Sequence, residues 1–125
     1  MRRYAIIAAF LFAIFISETA QAQFLSTTGS CPGVMTFDVT GAIPTSRVMY
    51  IRAFGTGSFV LPPWAPCGGT VTGLDSTATF VGWEIANGFG NCTLTATVPP
   101  TACGTIYVQV VDTLSCTTSN VILIT

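Results

Sequence analysis

The chain has 125 residues, of which four are Lys or Arg, five are Asp or Glu and none is His, so its formal net charge is −1. Only two of the cationic residues, Arg47 and Arg52, lie beyond residue 22. So little positive charge cannot neutralise a phosphate backbone or form a basic patch. This excludes nucleic acid as a partner, and it excludes electrostatic binding to an anionic membrane.

Two arginines stand near the start of the chain, and an unbroken apolar run follows over residues 5–16. This run is shorter than the roughly 20 residues that span a bilayer. The Ala-Gln-Ala sequence at 20–22 then supplies the small residues of a signal-peptidase site. These features predict a cleavable signal peptide over 1–22 and a secreted protein, with a transmembrane anchor as the alternative interpretation.

The rest of the chain has the length and pattern of one domain. Residues 23–30 are predicted to be a flexible lead. In residues 31–125, short segments of alternating apolar and polar residues are separated by Gly, Pro and Asn turns. We predict seven strands, spanning residues 34–40, 47–54, 58–61, 77–85, 92–98, 106–112 and 121–124. The fold class is therefore all-β, and about seven strands indicate an immunoglobulin-like antiparallel β-sandwich.

Alternation also predicts which side chains face the core, since successive residues of a strand point to opposite faces. The strand at 34–40 has one clear apolar face, whereas the strand at 47–54 has two plausible ones because residues 48–51 are all apolar. In the strand at 77–85, Trp83 shares a face with Val81 and is expected in the core.

Several turn and strand motifs resemble those of a known family. They are GAIP at 41–44, NGFGN at 87–91, TLTATVP at 93–99, VQVVD at 108–112 and SNV at 119–121. Together they resemble bacterial immunoglobulin-like surface domains, which often have G-A-x-P-G before the second strand, D-x-x-G before the fifth and A-x-D…S-N-x-V across the last hairpin. The chain departs from that family in having one domain rather than several, and in having cysteines. The resemblance implies a structural, adhesive or spacer role outside the cell, without catalysis.

An exported chain with five cysteines is predicted to contain disulfides. There is no C-x-x-C pair and no histidine, which disfavours zinc. Tracing the predicted strands up and down the sandwich places Cys103 and Cys116 at opposite ends of one strand, too far apart to bond. We therefore predict a Cys31–Cys116 bridge at one end of the sandwich and a Cys67–Cys103 bridge at the other.

The remaining cysteine is Cys92, which alternation places on an apolar, inward face of the strand at 92–98. We expect it to be a buried free thiol that packs as a small hydrophobic residue. A disulfide to another chain, or a different pairing with Cys31 or Cys116, is the alternative. A catalytic thiol is disfavoured because no His or Lys is available to lower its pKa.

The sequence contains few side chains that could act in catalysis. Without histidine there is no conventional nucleophile–base triad. Glu84 is the only glutamate beyond residue 22, and Asp75 and Asp112 stand apart from any D-x-D-x-D calcium motif. We predict no catalytic residue, no metal site and no cofactor.

Exposed aromatic residues are the best candidates for ligand contact, because aromatic rings bind well where one side meets water. Trp64 in the proline-rich loop is the first candidate, followed by Phe59 and Tyr107. The competing and favoured interpretation of Trp64 is that it caps the end of the sandwich beside Cys67.

These observations predict a secreted, non-enzymatic structural or adhesive module whose partner is a surface polymer, a polysaccharide or another protein. A carbohydrate-binding module that uses exposed aromatics is one alternative. Self-association into fibres is the other, because threonine-rich strands lack the lysines that usually guard sheet edges.

Overall fold

A computed structural model describes residues 23–125, and the predicted signal peptide over 1–22 lies outside them. The described residues form eight strands and one short 3₁₀ turn, Pro100–Ala102. The strands are β1 Phe24–Thr28, β2 Gly33–Thr40, β3 Arg47–Ala53, β4 Thr79–Ile85, β5 Cys92–Val98, β6 Tyr107–Asp112, β7 Thr117–Thr118 and β8 Ile122–Leu123.

The strands form two antiparallel sheets, which confirms the predicted disulfide-stapled, immunoglobulin-like β-sandwich. Sheet A has the order β1-β2-β5, and sheet B has the order β4-β3-β6, with β7 and β8 both pairing with β6. The fourth strand therefore lies beside the third, in sheet B, rather than beside the fifth. As a result β4 and β5 are edge strands on the same side of the sandwich, and they are not hydrogen-bonded to each other.

The main core fills the space between the sheets. Sheet A contributes Met35, Phe37 and Val39 from alternate positions of β2, as predicted, and sheet B contributes buried residues that include Tyr50 and Val110. Each such side chain stabilises the fold by about 1.5–3 kcal/mol relative to an exposed one. The Tyr50 hydroxyl crosses the core and donates a hydrogen bond to the Phe37 carbonyl at 3.1 Å.

The strand β3 of sheet B is buried on both faces, which explains why its sequence is compatible with two inner faces. Val48 and Tyr50 of β3 enter the main core, while Met49, Ile51 and Ala53 enter a second, outer cluster. Leu61 and Leu74 complete this outer cluster from the long loop 55–78. The loop therefore forms a third layer over sheet B.

The loop 55–78 doubles back on itself and is fastened to β6. Within it, the Phe59 carbonyl accepts the Thr72 N–H at 2.8 Å, and the Phe59 N–H donates to the Leu74 carbonyl at 2.8 Å. Val60 and Val71 form a single bridge. The predicted strand at 58–61 is therefore wrong. The buried Gln109 holds the loop, since its Oε1 accepts the Gly73 N–H at 2.9 Å and its Nε2 donates to the Ser119 carbonyl at 2.7 Å.

The predicted flexible lead over 23–30 is also wrong. Leu25 is fully buried, and β1 pairs along its whole length with β2. The Asn120 side chain then binds the Leu25 backbone twice: its Oδ1 accepts the N–H at 2.8 Å, and its Nδ2 donates to the carbonyl at 3.0 Å. The buried Gln23 side chain donates to the Thr117 carbonyl at 2.8 Å. These side chains tie β1 to the far end of the sequence.

The disulfides join Cys31 to Cys103 and Cys67 to Cys116, with Cα atoms 5.6 Å and 5.4 Å apart. The four bridged cysteines were predicted correctly, but their partners were not. Residues 58–61 are the cause, because counting them as a strand that spans the sandwich reverses the direction of every later strand. In the structure, β4 follows β3 directly and pairs with it. Cys103, after β5, therefore lies at the same end of the sandwich as Cys31, before β2. Cys116, after β6, lies at the other end.

The NGFGN motif fastens the β4–β5 turn to the β2–β3 turn. Within it, Asn87 Oδ1 accepts the N–H groups of Phe89 and Asn91 at 2.8 and 3.0 Å. The Gly90 carbonyl accepts the Ala42 N–H at 3.0 Å. Gly90 has a φ of +81°, and a Cβ at this position would overlap the Ala42 carbonyl, so the close approach requires glycine.

Asp112, in the VQVVD motif, fastens two loops at the same end. Its carboxylate is fully buried; Oδ2 accepts the Ile43 N–H at 2.8 Å and Oδ1 accepts the Leu114 N–H at 2.9 Å. The motifs behind the family resemblance thus act by holding backbone turns together.

Candidate binding surface

A groove on the outer face of sheet B brings three aromatic side chains together. It lies between β4 and the tip of the loop 55–78, and it has a volume of about 170 Å³. Met49 and Ile51 of β3 form its floor, and the aromatic residues Phe59, Trp64 and Phe80 line it. We call this feature the aromatic groove.

Trp64 is 85% exposed, so the prediction that it caps the end of the sandwich is wrong. Three prolines and two glycines surround it in the loop tip, PPWAPCGG, and keep that segment out of a regular ladder. The tip is nevertheless fastened: Cys67 is bonded to Cys116, and the Leu61 carbonyl accepts the Gly69 N–H at 2.9 Å. Trp64 is therefore an exposed side chain on a loop tip that is held in place.

A β-bulge in β4 sets the other wall of the groove. Tyr50 pairs with Gly82 and Ile51 with Phe80, which leaves Val81 as the extra residue. Phe80 and Trp83 consequently share the outer face, with ring centroids 5.1 Å apart. The prediction that Val81 and Trp83 share a face is wrong for this reason.

Trp83 is only partly buried, and it packs against the outer cluster rather than in the main core. The Arg47 guanidinium lies over its ring, 4.8 Å from the centroid. A cation held over an aromatic face is attracted by the ring quadrupole, so the guanidinium helps to fix the ring. Trp83 therefore supports Phe80 from the side, next to the groove.

The three aromatic residues singled out from the sequence are not all brought together. Phe59 and Trp64 line the groove, whereas Tyr107 pairs with Ala53 and does not line it. Phe80 was missed because strict alternation places it opposite Trp83. Gly82 between the two was the available signal, since an isolated glycine in a strand pattern often marks a bulge.

The chemistry of the groove is that of a contact surface. None of its lining residues is charged, and none is a nucleophile activated by a base. Apolar aromatic faces at this kind of site pack against other rings or against the C–H faces of sugars. Within residues 23–125, no group of three or more His, Cys, Asp and Glu side chains is arranged to hold a metal.

Cys92 has no disulfide partner within the chain, as predicted, but it is partly exposed rather than fully buried. Its Sγ lies 3.7 Å from the Tyr50 hydroxyl at the edge of the main core. Burial raises the pKa of the thiol, and the hydrogen bond with Tyr50 opposes this effect only in part. Burial likewise raises the pKa of Tyr50 well beyond its ordinary value. The arrangement keeps Cys92 protonated and weakly nucleophilic.

We expect iodoacetamide to alkylate Cys92 in the native protein at pH 8 at least about tenfold more slowly than in urea, because only the thiolate reacts. Because the folded-state pKa is raised, the protonated thiol favours the native state at neutral pH. That contribution is lost as the pH rises through the raised pKa. Because the pKa of the thiol is raised, its thiolate fraction, and with it the alkylation rate of the native protein, should still be increasing above pH 9. Equal rates in native and unfolded protein, measured by mass spectrometry, would contradict this.

The two disulfides fit a protein from an oxidising, extracellular environment. Among the residues described, no helix has the length and apolar character needed to cross a membrane. The chain matches no protein-family model, no curated protein and no solved structure.

Proposed function

We propose that this protein is a secreted, non-enzymatic adhesive module that binds a surface polysaccharide through the aromatic groove. The observation that carries the proposal is Trp64, a large aromatic ring 85% exposed on a loop tip that a disulfide anchors. A side chain of this size is normally shielded from water at least in part. Its exposure beside an apolar groove is typical of an interaction site.

The groove suits an uncharged polymer better than a charged one. Its lining carries no charged side chain, and a polysaccharide without charge needs none. Phe59, Trp64 and Phe80 supply apolar faces, while Thr79 of β4, which also lines the groove, supplies a hydroxyl group for hydrogen bonds.

Membership of the bacterial immunoglobulin-like surface domains is part of the proposal. Its support is the role of the shared motifs, since Asn87, Gly90, Asp112 and Asn120 each fasten backbone segments of the sandwich. When the motif residues of a sandwich serve its structure, ligands are contacted by its exposed loops.

The test compares two equally exposed aromatic residues in different loops. Trp64→Ala removes the ring at the groove, whereas Phe89→Ala removes a ring that is 86% exposed in the β4–β5 turn. We expect the native protein to be retained on at least one of insoluble cellulose, chitin or xylan. Trp64→Ala should weaken that retention by about tenfold or more, which is about 1.4 kcal/mol.

Phe89→Ala should bind as the native protein does, which separates a specific site from general hydrophobic adhesion. Far-UV circular dichroism and thermal unfolding of both variants check that the fold is unchanged. The proposal fails if no polysaccharide retains the native protein, or if the two variants lose retention equally.

Self-association is a second candidate, and the edge strand β4 supports it. In sheet B this strand pairs only with β3, and Phe80, Val81 and Ile85 are all at least 43% exposed on it. An exposed apolar edge is a template for pairing with another copy. Size-exclusion chromatography over a concentration series, repeated under reducing conditions, would show such assembly and whether a disulfide through Cys92 contributes.

A further inference from the structure

A second cavity lies on the inner face of sheet B, between the edge strands β4 and β5. It has a volume of about 130 Å³. It opens at the side of the sandwich where β4 and β5 are the edge strands and are not hydrogen-bonded to each other. Val81 of β4 stands on one side of the opening, and Leu94 and Ala96 of β5 stand on the other. We call this feature the inter-sheet cleft.

The cleft penetrates the main core rather than resting on the surface. Its inner wall includes Phe37, Tyr50 and Val108, each of which is at most 6% exposed. Two of the residues that line it, Ala96 and Ala102, have small side chains. Protein interiors are usually filled to crystal-like density, so a void of this size is a site that another apolar group can occupy.

The cleft has one charged residue among those that line it. Arg52 is exposed and lies on the face of β3 that carries Val48 and Tyr50, towards the main core. All the other lining residues are uncharged, and most are aliphatic or aromatic. A ligand that matches this lining has an apolar body and a single anionic group.

We infer that the inter-sheet cleft binds the hydrocarbon end of a medium-chain monocarboxylate, with the carboxylate held by Arg52. The size sets the length of the chain. An apolar protein cavity of about 150 Å³ accommodates the six carbons of benzene, so a cleft of 130 Å³ encloses about five carbons, and the rest of a longer chain extends through its open side. A guanidinium presents paired N–H donors that match a carboxylate.

This site is separate from the aromatic groove of the proposed function. The groove lies on the outer face of sheet B, under the loop 55–78, whereas the cleft lies on the inner face. No residue lines both cavities. The two sites therefore predict independent binding events.

The test uses octanoate and octylammonium, which have the same chain and opposite charges, in isothermal titration calorimetry on the folded, oxidised domain. We expect saturable binding of octanoate with a Kd of about 0.1–1 mM. Octylammonium should bind at least about tenfold more weakly. In Arg52→Gln, this preference for octanoate should fall to less than about twofold.

A pair of leucine substitutions on β5 tests the location. Ala96→Leu fills the cleft, while Thr95→Leu adds the same side chain on the opposite, exposed face of the strand. Ala96→Leu should weaken octanoate binding at least about tenfold, and Thr95→Leu should leave it within twofold. If Ala96→Leu does not fold, Ala102→Leu in the 3₁₀ turn fills the cleft from its other end.

The inference is overturned if octanoate shows no saturable binding up to about 10 mM, a concentration well above the expected Kd. It is also overturned if the cleft-filling variant binds octanoate as the native protein does, or if octylammonium binds equally well. The Trp64→Ala variant should bind octanoate normally, so failure at one site is distinguishable from failure at the other.

Discussion

Replacing Asp112 with alanine should lower the free energy of unfolding by about 3 kcal/mol, measured by urea denaturation. The carboxylate is fully buried and accepts the N–H groups of Ile43 and Leu114. Hydrogen bonds to a charged group contribute about 1.5–3 kcal/mol each, and the substitution removes two. Both the β2–β3 turn and the β6–β7 turn would lose their shared anchor.

Asp112→Asn serves as a graded control. An amide has one oxygen, so it satisfies one of the two N–H groups and turns an N–H₂ donor towards the other. We expect a loss of stability between those of the native protein and of the alanine variant. Asp38→Ala removes a carboxylate from the outer face of β2 and should change stability by less than about 0.5 kcal/mol. Equal effects of Asp38→Ala and Asp112→Ala would show that the buried carboxylate has no special role.

Removing the Cys67–Cys116 disulfide by a double serine substitution should cost about 3–4 kcal/mol of stability and abolish polysaccharide retention. The two cysteines are 49 residues apart in sequence, and closing a loop of that length reduces the entropy of the unfolded chain by an amount of this order. The bond also anchors the loop tip that carries Trp64. Without it, the outer layer should open while the main core stays folded.

The Cys31–Cys103 disulfide is the matched control. It spans 72 residues, so its loss should cost a similar amount of stability, but it lies at the opposite end of the sandwich. A Cys31→Ser, Cys103→Ser protein that is still folded at the assay temperature should retain its polysaccharide binding. If both double variants lost retention equally, the Cys67–Cys116 bond would have no specific part in holding the groove.

Local sequence patterns predicted the bounds of three strands closely. The strand at 92–98 has the predicted bounds, and β2 and β3 differ from prediction by one residue at an end. The strand β1 escaped prediction because its burial depends on Asn120 and Thr117, which lie at the far end of the chain and leave no trace in local alternation. The direction of the later strands, and with it the disulfide pairing, depended on whether residues 58–61 span the sandwich, which periodicity alone does not decide.

The candidate site was predictable in part. A tryptophan among three prolines marked the loop tip, because prolines exclude that segment from a central strand. The groove itself depends on two features of tertiary structure, the folding of the loop over sheet B and the bulge at Val81 that turns Phe80 outwards. The inter-sheet cleft depends on the pairing of β4 with β3 instead of β5, a choice of sheet that short alternating segments do not specify.

The fastening of β1 to the β7–β8 segment has a consequence for the order of folding. The side-chain bonds that tie Gln23 and Leu25 to Thr117 and Asn120 join residues 94 and 95 positions apart. A chain that emerges amino end first would present β1 long before these partners appear. Completion of the sandwich must therefore wait until residue 120 has emerged, and until then β1 lacks the side-chain bonds that hold it to the other sheet. Such a domain finishes folding in one late step rather than strand by strand.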